Sequence, residues 1–322
     1  MNINNVFFNN INNLITCAGD LGFSIYRMNP ELEKTVEKNI GGLSIMKIYN
    51  KTNIVAFVGG GTNPYKSKDC VVLYDMSSDS DLTDIDVKEP IKNILLCDGK
   101  LVVSVVKKIY LFDWQNTPEM TNYKETFYND NGLCVLNENT KTILTLGKKK
   151  GDISLWNYET KTHQDIEAHK TSVEAIAISE DGRYVASASE TGTLVRVFDV
   201  EEPNKPKYEF RRGSQQAGIY SICFSKNKRF LACSSSNGTV HIFDLQDITK
   251  NTQSYLSGLK NYLPGYFGSQ WSFKQYYIGN GSKSICCFDD DGNIHLANVD
   301  GEYHKIPYQA GDFKEIISRK LI

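Results

Sequence analysis

A short signature, an aliphatic residue followed by an aromatic and a small polar residue, recurs at near-regular intervals: Leu73-Tyr74-Asp75, Leu111-Phe112-Asp113, Leu155-Trp156-Asn157, Val197-Phe198-Asp199 and Ile242-Phe243-Asp244. Successive copies are 38, 44, 42 and 45 residues apart. Ser24-Ile25-Tyr26 reads as a first member and Ile294-His295-Leu296 as a degenerate last one. A period of roughly 40–45 residues holding several short strands is the mark of β-propeller blades, because each unit buries its faces only against its neighbours. The chain is therefore expected to be all-β, a seven-bladed β-propeller of WD-like repeats.

The two clearest copies show the unit. One runs Val173-Glu174-Ala175-Ile176-Ala177-Ile178, a turn at Glu180-Asp181-Gly182, Tyr184-Val185-Ala186-Ser187-Ala188-Ser189, a turn at Thr191-Gly192, then Thr193 to Phe198. The next runs Ile219 to Phe224, Phe230 to Ser235, a turn at Asn237-Gly238, and Thr239 to Phe243. Both are apolar or alternating strands divided by hairpin turns. Seven units follow, near 6–28, 43–76, 91–114, 132–158, 171–200, 219–245 and 272–306, and residues 1–322 are expected to make a single domain. Two stretches do not read as strand. Met76 to Asp86 is acidic and serine-rich and is expected to be a solvated loop, and 249–270 is a longer apolar connector interrupted by Gly and Pro.

Bulk properties narrow the function. Lys and Arg total 36 against 38 Asp and Glu, a formal net charge of −2, which disfavours a general nucleic-acid binder. Eight cysteines are scattered without a CxxC pair, so no metal site or cofactor is expected and a reduced cytoplasmic setting fits. The first residues lack the basic-then-apolar pattern of a secretory leader, and no apolar run approaches the ~20 residues of a membrane span. Any membrane contact is expected to be peripheral. GxSxG, HExxH and P-loop signatures are missing, so an enzyme is not expected. Gly59-Gly60-Gly61 reads as a blade turn, and Lys148-Lys149-Lys150-Gly151 as a charged turn that would attract anionic lipid if it faced a membrane.

Phe210-Arg211-Arg212-Gly213 lies at the seam between the two clearest repeats. In a strand, neighbouring side chains point to opposite sides, so Arg211 and Arg212 should aim at different places. Arginine offers phosphate a planar, permanently charged fork of donors.

The FRRG run, followed by Ile219-Tyr220-Ser221-Ile222, resembles the PROPPINs, the phosphoinositide-binding β-propellers of autophagy. Thr52-Asn53-Ile54-Val55-Ala56-Phe57-Val58-Gly59-Gly60-Gly61 is similar to the family's second blade. Ala168-His169-Lys170, Ala186 to Thr193 and Arg196-Val197-Phe198 are similar to its fifth. Leu263-Pro264-Gly265-Tyr266-Phe267 with Trp271-Ser272-Phe273 resembles the short-looped WIPI3/4-type branch. The resemblance implies two headgroup pockets on the rim, for phosphatidylinositol 3-phosphate or phosphatidylinositol 3,5-bisphosphate. The first would use His169, Ser187, Ser189, Gly192, Thr193, Arg196 and Arg211; the second Arg212, Gly213, Ser235, Thr239 and His241. The 249–270 loop, through Leu256, Leu259, Tyr262, Leu263, Tyr266 and Phe267, would enter the bilayer. Implied too are a monomer at pre-autophagosomal, endosomal or vacuolar membranes and a partner from the autophagy machinery, such as an Atg2-type lipid-transfer protein. A histidine beside a phosphate dianion gains charge more readily, so His169 and His241 are expected to strengthen binding as pH falls.

Plainer readings stand beside these. His169 alone is also the histidine that hydrogen-bonds within a WD blade, paired arginines on a rim are often solvated, and 249–270 is also readable as a simple connector. At the level of function, the alternative is a WD-repeat adaptor that binds only proteins.

Overall fold

The computed structural model describes residues 2–50, 52–97, 99–115, 117–251, 270–308 and 317–321. They form seven antiparallel sheets, each built around four strands. The first sheet comprises Ile3–Phe8, Leu14–Gly19, Gly22–Arg27 and Glu33–Lys38, and the second Leu43–Ile48, Ile54–Gly59, Cys70–Asp75 and Ser80–Asp86. The third runs from Asn93–Cys97 to Glu119–Glu125 and the fourth from Cys134–Asn137 to His163–Glu167. Val173–Ile178, Tyr184–Ser189, Leu194–Asp199 and Tyr208–Arg211 make the fifth, to which Gln270–Trp271 adds in parallel. Ile219–Phe224, Phe230–Ser235, Thr239–Asp244 and Lys274–Tyr277 make the sixth. Ser284–Phe288, Asn293–Asn298, Glu302–Pro307 and Ile317–Lys320 make the seventh. Among the described strands, none near the N-terminus pairs with one near the C-terminus.

Two compact units are formed. One is Met1–Cys134 with His295–Lys305 and Ile316–Ile322; the other is Val135–Ile294 with Ile306–Glu315. In the first, Phe23 and Ile25 of the first sheet pack with Leu43, Met46, Val55 and Phe57 of the second. In the second unit, Ala186, Ala188, Val195, Val197 and Phe210 of the fifth sheet pack with Ile219, Ile222, Leu231, Cys233 and Phe243 of the sixth.

Two copies of the aromatic-Asp signature share one arrangement. Asp199 and Asp244 are buried, and each is met by an arginine from the turn that opens its sheet's second strand. Arg183 Nη2 donates to Asp199 at 3.1 Å and Arg229 Nη2 to Asp244 at 3.2 Å. In both turns a serine hydroxyl, of Ser179 or Ser225, accepts the amide of the residue five on, Tyr184 or Phe230. In these two copies the aromatic fills the core while the aspartate ties the third strand to the turn.

Three sequence expectations are corrected. Residues 80–86 of the expected acidic loop are a strand, Ser80–Asp86, paired along Cys70–Asp75. Most of it is exposed, with Ile85 reaching the core, so no apolar alternation marks it. Glu119–Glu125, which lies beyond the expected third unit, is another mostly exposed outer strand. The expected last unit, 272–306, also starts too early: Lys274–Tyr277 belongs to the sixth sheet. Of the expected 249–270 loop, Ile248–Lys250 is a short 3-10 turn and Gln270 is strand. Leu256, Leu259, Tyr262, Leu263, Tyr266 and Phe267 lie outside the described residues. Lys148-Lys149-Lys150-Gly151 forms the turn between Thr142–Leu146 and Asp152–Asn157. No helix among the described residues is long and apolar enough to cross a membrane.

Candidate anion-binding site

The Tyr208–Arg211 strand is the fourth of the fifth sheet, and its register decides where each arginine goes. Phe210 pairs with Val195 and Arg211 with Leu194, while the Arg212 amide extends the ladder to the Thr193 carbonyl at 2.9 Å. Phe210 is fully buried and stacks on Phe243 of the sixth sheet, with ring centroids 4.7 Å apart. Phe210 therefore faces the sixth sheet. Strand alternation sends Arg212 to that same side and Arg211 to the other.

The side of Arg211 carries the first group. Ser187, Arg196 and Glu209 are consecutive partners across three strands, so their side chains form one row. His169, in the connection entering the fifth sheet, places Nε2 2.9 Å from the Ser187 hydroxyl. Arg196 donates through Nε to Glu209 at 2.9 Å and through Nη1 to the Ala168 carbonyl at 2.7 Å. Burial and the Arg196 charge push the His169 pKa down to about 4. Arg211 and Ser189 lie one row further along, and Arg211 is only 8% exposed. The Ser189 and Thr191 hydroxyls are 3.0 Å apart.

The side of Arg212 carries the second group. Leu231, Cys233 and Phe243 turn toward the fifth sheet, and Ser235, Thr239 and His241 share their alternation. The hydroxyls of Ser235 and Thr239 are 2.8 Å apart, Thr239 Oγ1 is 3.0 Å from His241 Nε2, and His241 Nδ1 is 3.1 Å from Ser272 Oγ. Burial, then the Arg212 charge, holds the His241 pKa down at about 4. Arg212 itself is only 4% exposed, and burial lowers its pKa. Its Nε donates to the Gly192 carbonyl at 2.8 Å and Nη2 to that of Gln215 at 2.6 Å. Among the described residues no carboxylate lies within salt-bridge range of it. A buried guanidinium held only by neutral acceptors is costly unless an anion completes it.

Two glycines shape the seam. Gly192 has φ +58°, and a Cβ there would sit 1.7 Å from the Ala217 carbonyl, so only glycine fits the turn that offers its carbonyl to Arg212. Gly213 is different: a Cβ would meet nothing within 4 Å. The backbone there is open, as approach by a ligand requires.

The structure thus brings His169, Ser187, Arg196 and Arg211 to one face, with Ser189 beside them, and gathers Arg212, Ser235, Thr239 and His241 on the other. Thr193 sits at the seam and contributes its carbonyl to the Arg212 amide. The expected gain of charge by both histidines concerns rings beside a bound phosphate dianion; in the free protein both start neutral. Burial and a neighbouring guanidinium keep each ring neutral down to about pH 4. Sequence reading missed Glu209 and Ser272. Glu209 stands two residues before Arg211, so strand alternation alone would have placed it on the same face. Ser272 carries no local signal, because it reaches His241 across 31 positions of sequence.

The PROPPIN family model matches residues 23–283. The chain belongs to the PROPPIN family. Among curated relatives, SVP1-like protein 2 of Pichia angusta is 30% identical over 291 residues, covering 85% of this chain and 80% of the relative. Autophagy-related protein 18e of Arabidopsis thaliana is 26% identical over 304 residues, covering 92% and 81%. Kluyveromyces lactis Hsv2 superposes with a TM-score of 0.81 at 19% identity, over 99% of each chain. That likeness carries the fold, and the PROPPIN chain is an all-β, seven-bladed β-propeller. The family match spans every residue assigned to the two faces of the FRRG strand.

Proposed function

We propose that this PROPPIN is a non-enzymatic scaffold that reads 3-phosphorylated inositol lipids. One headgroup is held on each face of the FRRG strand, and the protein carries a partner to the membrane. The observation that carries the reading is the separation of Arg211 and Arg212 onto opposite faces, each beside its own hydroxyls and histidine. A phosphomonoester brings about −1.5 to −2 charges and three strong acceptor oxygens. Arg211 and Arg196 on one face, and Arg212 on the other, supply charged forks, while Ser187, Ser189, Ser235 and Thr239 supply neutral donors. Each neutral histidine both donates and accepts, and so orders the hydroxyl beside it.

Phosphatidylinositol 3-phosphate and the 3,5-bisphosphate are the proposed lipids, and pre-autophagosomal, endosomal or vacuolar membranes the proposed location. Two headgroups on one protein raise avidity without any new contact. The residues Leu256, Leu259, Tyr262, Leu263, Tyr266 and Phe267 would add apolar burial in the interface. An Atg2-type lipid-transfer protein is the proposed partner. The experiment is flotation with phosphatidylcholine vesicles containing either lipid or, as a control, unphosphorylated phosphatidylinositol. The Arg211→Thr, Arg212→Thr double variant should stay in the unbound fraction while the parent floats. Equal flotation of parent and variant would sink the two-headgroup reading, and a parent that does not float would leave the protein-binding adaptor.

A further inference from the structure

We propose that Glu209 is a specificity-determining residue of the first face: its carboxylate competes with the ligand for Arg196 and limits how much negative charge that face accepts. This rests on the proposed reading of the face as a phosphate site. Arg196 and Glu209 are direct cross-strand partners, and the guanidinium Nε donates to the carboxylate at 2.9 Å. Both side chains are partly exposed, at 26% and 34%, so a ligand reaching Arg196 also meets Glu209. The nearby groups on this face are His169, neutral above about pH 4, the hydroxyls of Ser187 and Ser189, and the charges of Arg196, Arg211 and Glu209. Two positive charges and one negative leave a single net positive charge. On the second face Arg212 lies near His241, whose pKa is also held at about 4.

The consequence differs between ligands. A headgroup with one phosphomonoester can bind at Arg211 and the hydroxyl row and share Arg196. A polyanion must bring further phosphates toward the Glu209 carboxylate, and the repulsion rises with each charge. Arg196 does not depend on that carboxylate alone for its position, because the Ala168 carbonyl also holds Nη1 at 2.7 Å. Glutamine at 209 would keep an acceptor for Nε and remove only the charge. Glu209 would then be the reason this face rejects highly phosphorylated ligands.

The test uses the full chain carrying Arg212→Thr, so that only the first face binds; Thr239→Val serves if that variant does not fold. Calorimetry measures inositol 1,3-bisphosphate and inositol hexakisphosphate at low and physiological salt. Glu209→Gln should tighten the hexakisphosphate by about 3- to 10-fold, the scale of one partly exposed charge pair. It should tighten the bisphosphate less, and steepen the salt dependence of both. Glu209→Leu, which also removes the acceptor, should gain less than Glu209→Gln. An unchanged ratio between the two ligands with an unchanged salt slope would overturn the inference, as would equal weakening of both, the mark of a purely structural role. If the parent chain with both faces intact binds neither ligand, the phosphate-site reading fails, and this inference with it.

Discussion

Phe210 and Phe243 stack across the fifth and sixth sheets with centroids 4.7 Å apart, and this contact orients the arginine pair. With Phe210 held inward, the next two side chains have no choice of side. Arg211 turns from the sixth sheet and Arg212 turns toward it.

Truncating that anchor should be costly. Phe210→Ala removes a fully buried ring from a packed cluster and should lower stability by about 3–5 kcal/mol. Urea unfolding checks this. Phe210→Leu, which keeps most of the volume, should retain both the fold and flotation.

The two arginines should separate in their structural cost. Arg212→Thr leaves the Gly192 and Gln215 carbonyls without their donor and should cost on the order of 1–3 kcal/mol, partly offset by removal of a buried charge. In thermal unfolding with inositol 1,3-bisphosphate, each single variant should keep a ligand-induced rise, and only the double variant should lose it.

The glycines should behave in opposite ways. Gly192→Ala forces a Cβ onto the Ala217 carbonyl at positive φ and should yield little folded protein. Gly213→Ala has open space and should fold as the parent does. If a headgroup lies against that backbone, flotation of Gly213→Ala in an Arg211→Thr background should fall. Parent-like flotation there would remove Gly213 from the second set.

Stability should decline in mild acid. His169 and His241 are held near pKa 4, below their ordinary value of 6.5. Between those values the unfolded chain binds more protons than the folded one, so stability rises with pH across the window and is lost as pH falls through it. The unfolding free energy should drop between pH 7 and pH 5 by at most about 1.4 kcal/mol per pH unit for each histidine. His241→Asn should reduce that slope. Lipid binding should strengthen over this range only if a bound phosphate dianion raises a ring's pKa into it, a gain opposed by the phosphomonoester's own loss of charge near its second pKa of about 6; flotation at neutral and mildly acidic pH checks this.

The sheets were legible in sequence wherever a strand faces a core. Val173–Ile178, Tyr184–Ser189, Ile219–Phe224 and Phe230–Ser235 match the expected strands because burial imposes an apolar pattern on them. Ser80–Asp86 escaped because an outer strand that sends only Ile85 into the core carries no apolar alternation. Within the site, the arginines, hydroxyls and histidines were readable as types. Glu209 was overlooked because a single carboxylate in a polar strand has no signature until its cross-strand partner is known.

The sequence by itself determined the all-β repeat, the place of the FRRG run at a seam and the opposite facing of its two arginines, since a strand's alternation is local geometry. Only the tertiary structure decided the rest. The Phe210–Phe243 stack assigned each arginine its side. Pairing of Arg196 with Glu209 gave one face an internal counter-charge, and burial left Arg212 with neutral acceptors alone. These are distinctions between groups far apart in sequence, and charge balance and desolvation depend on which of them packing brings together.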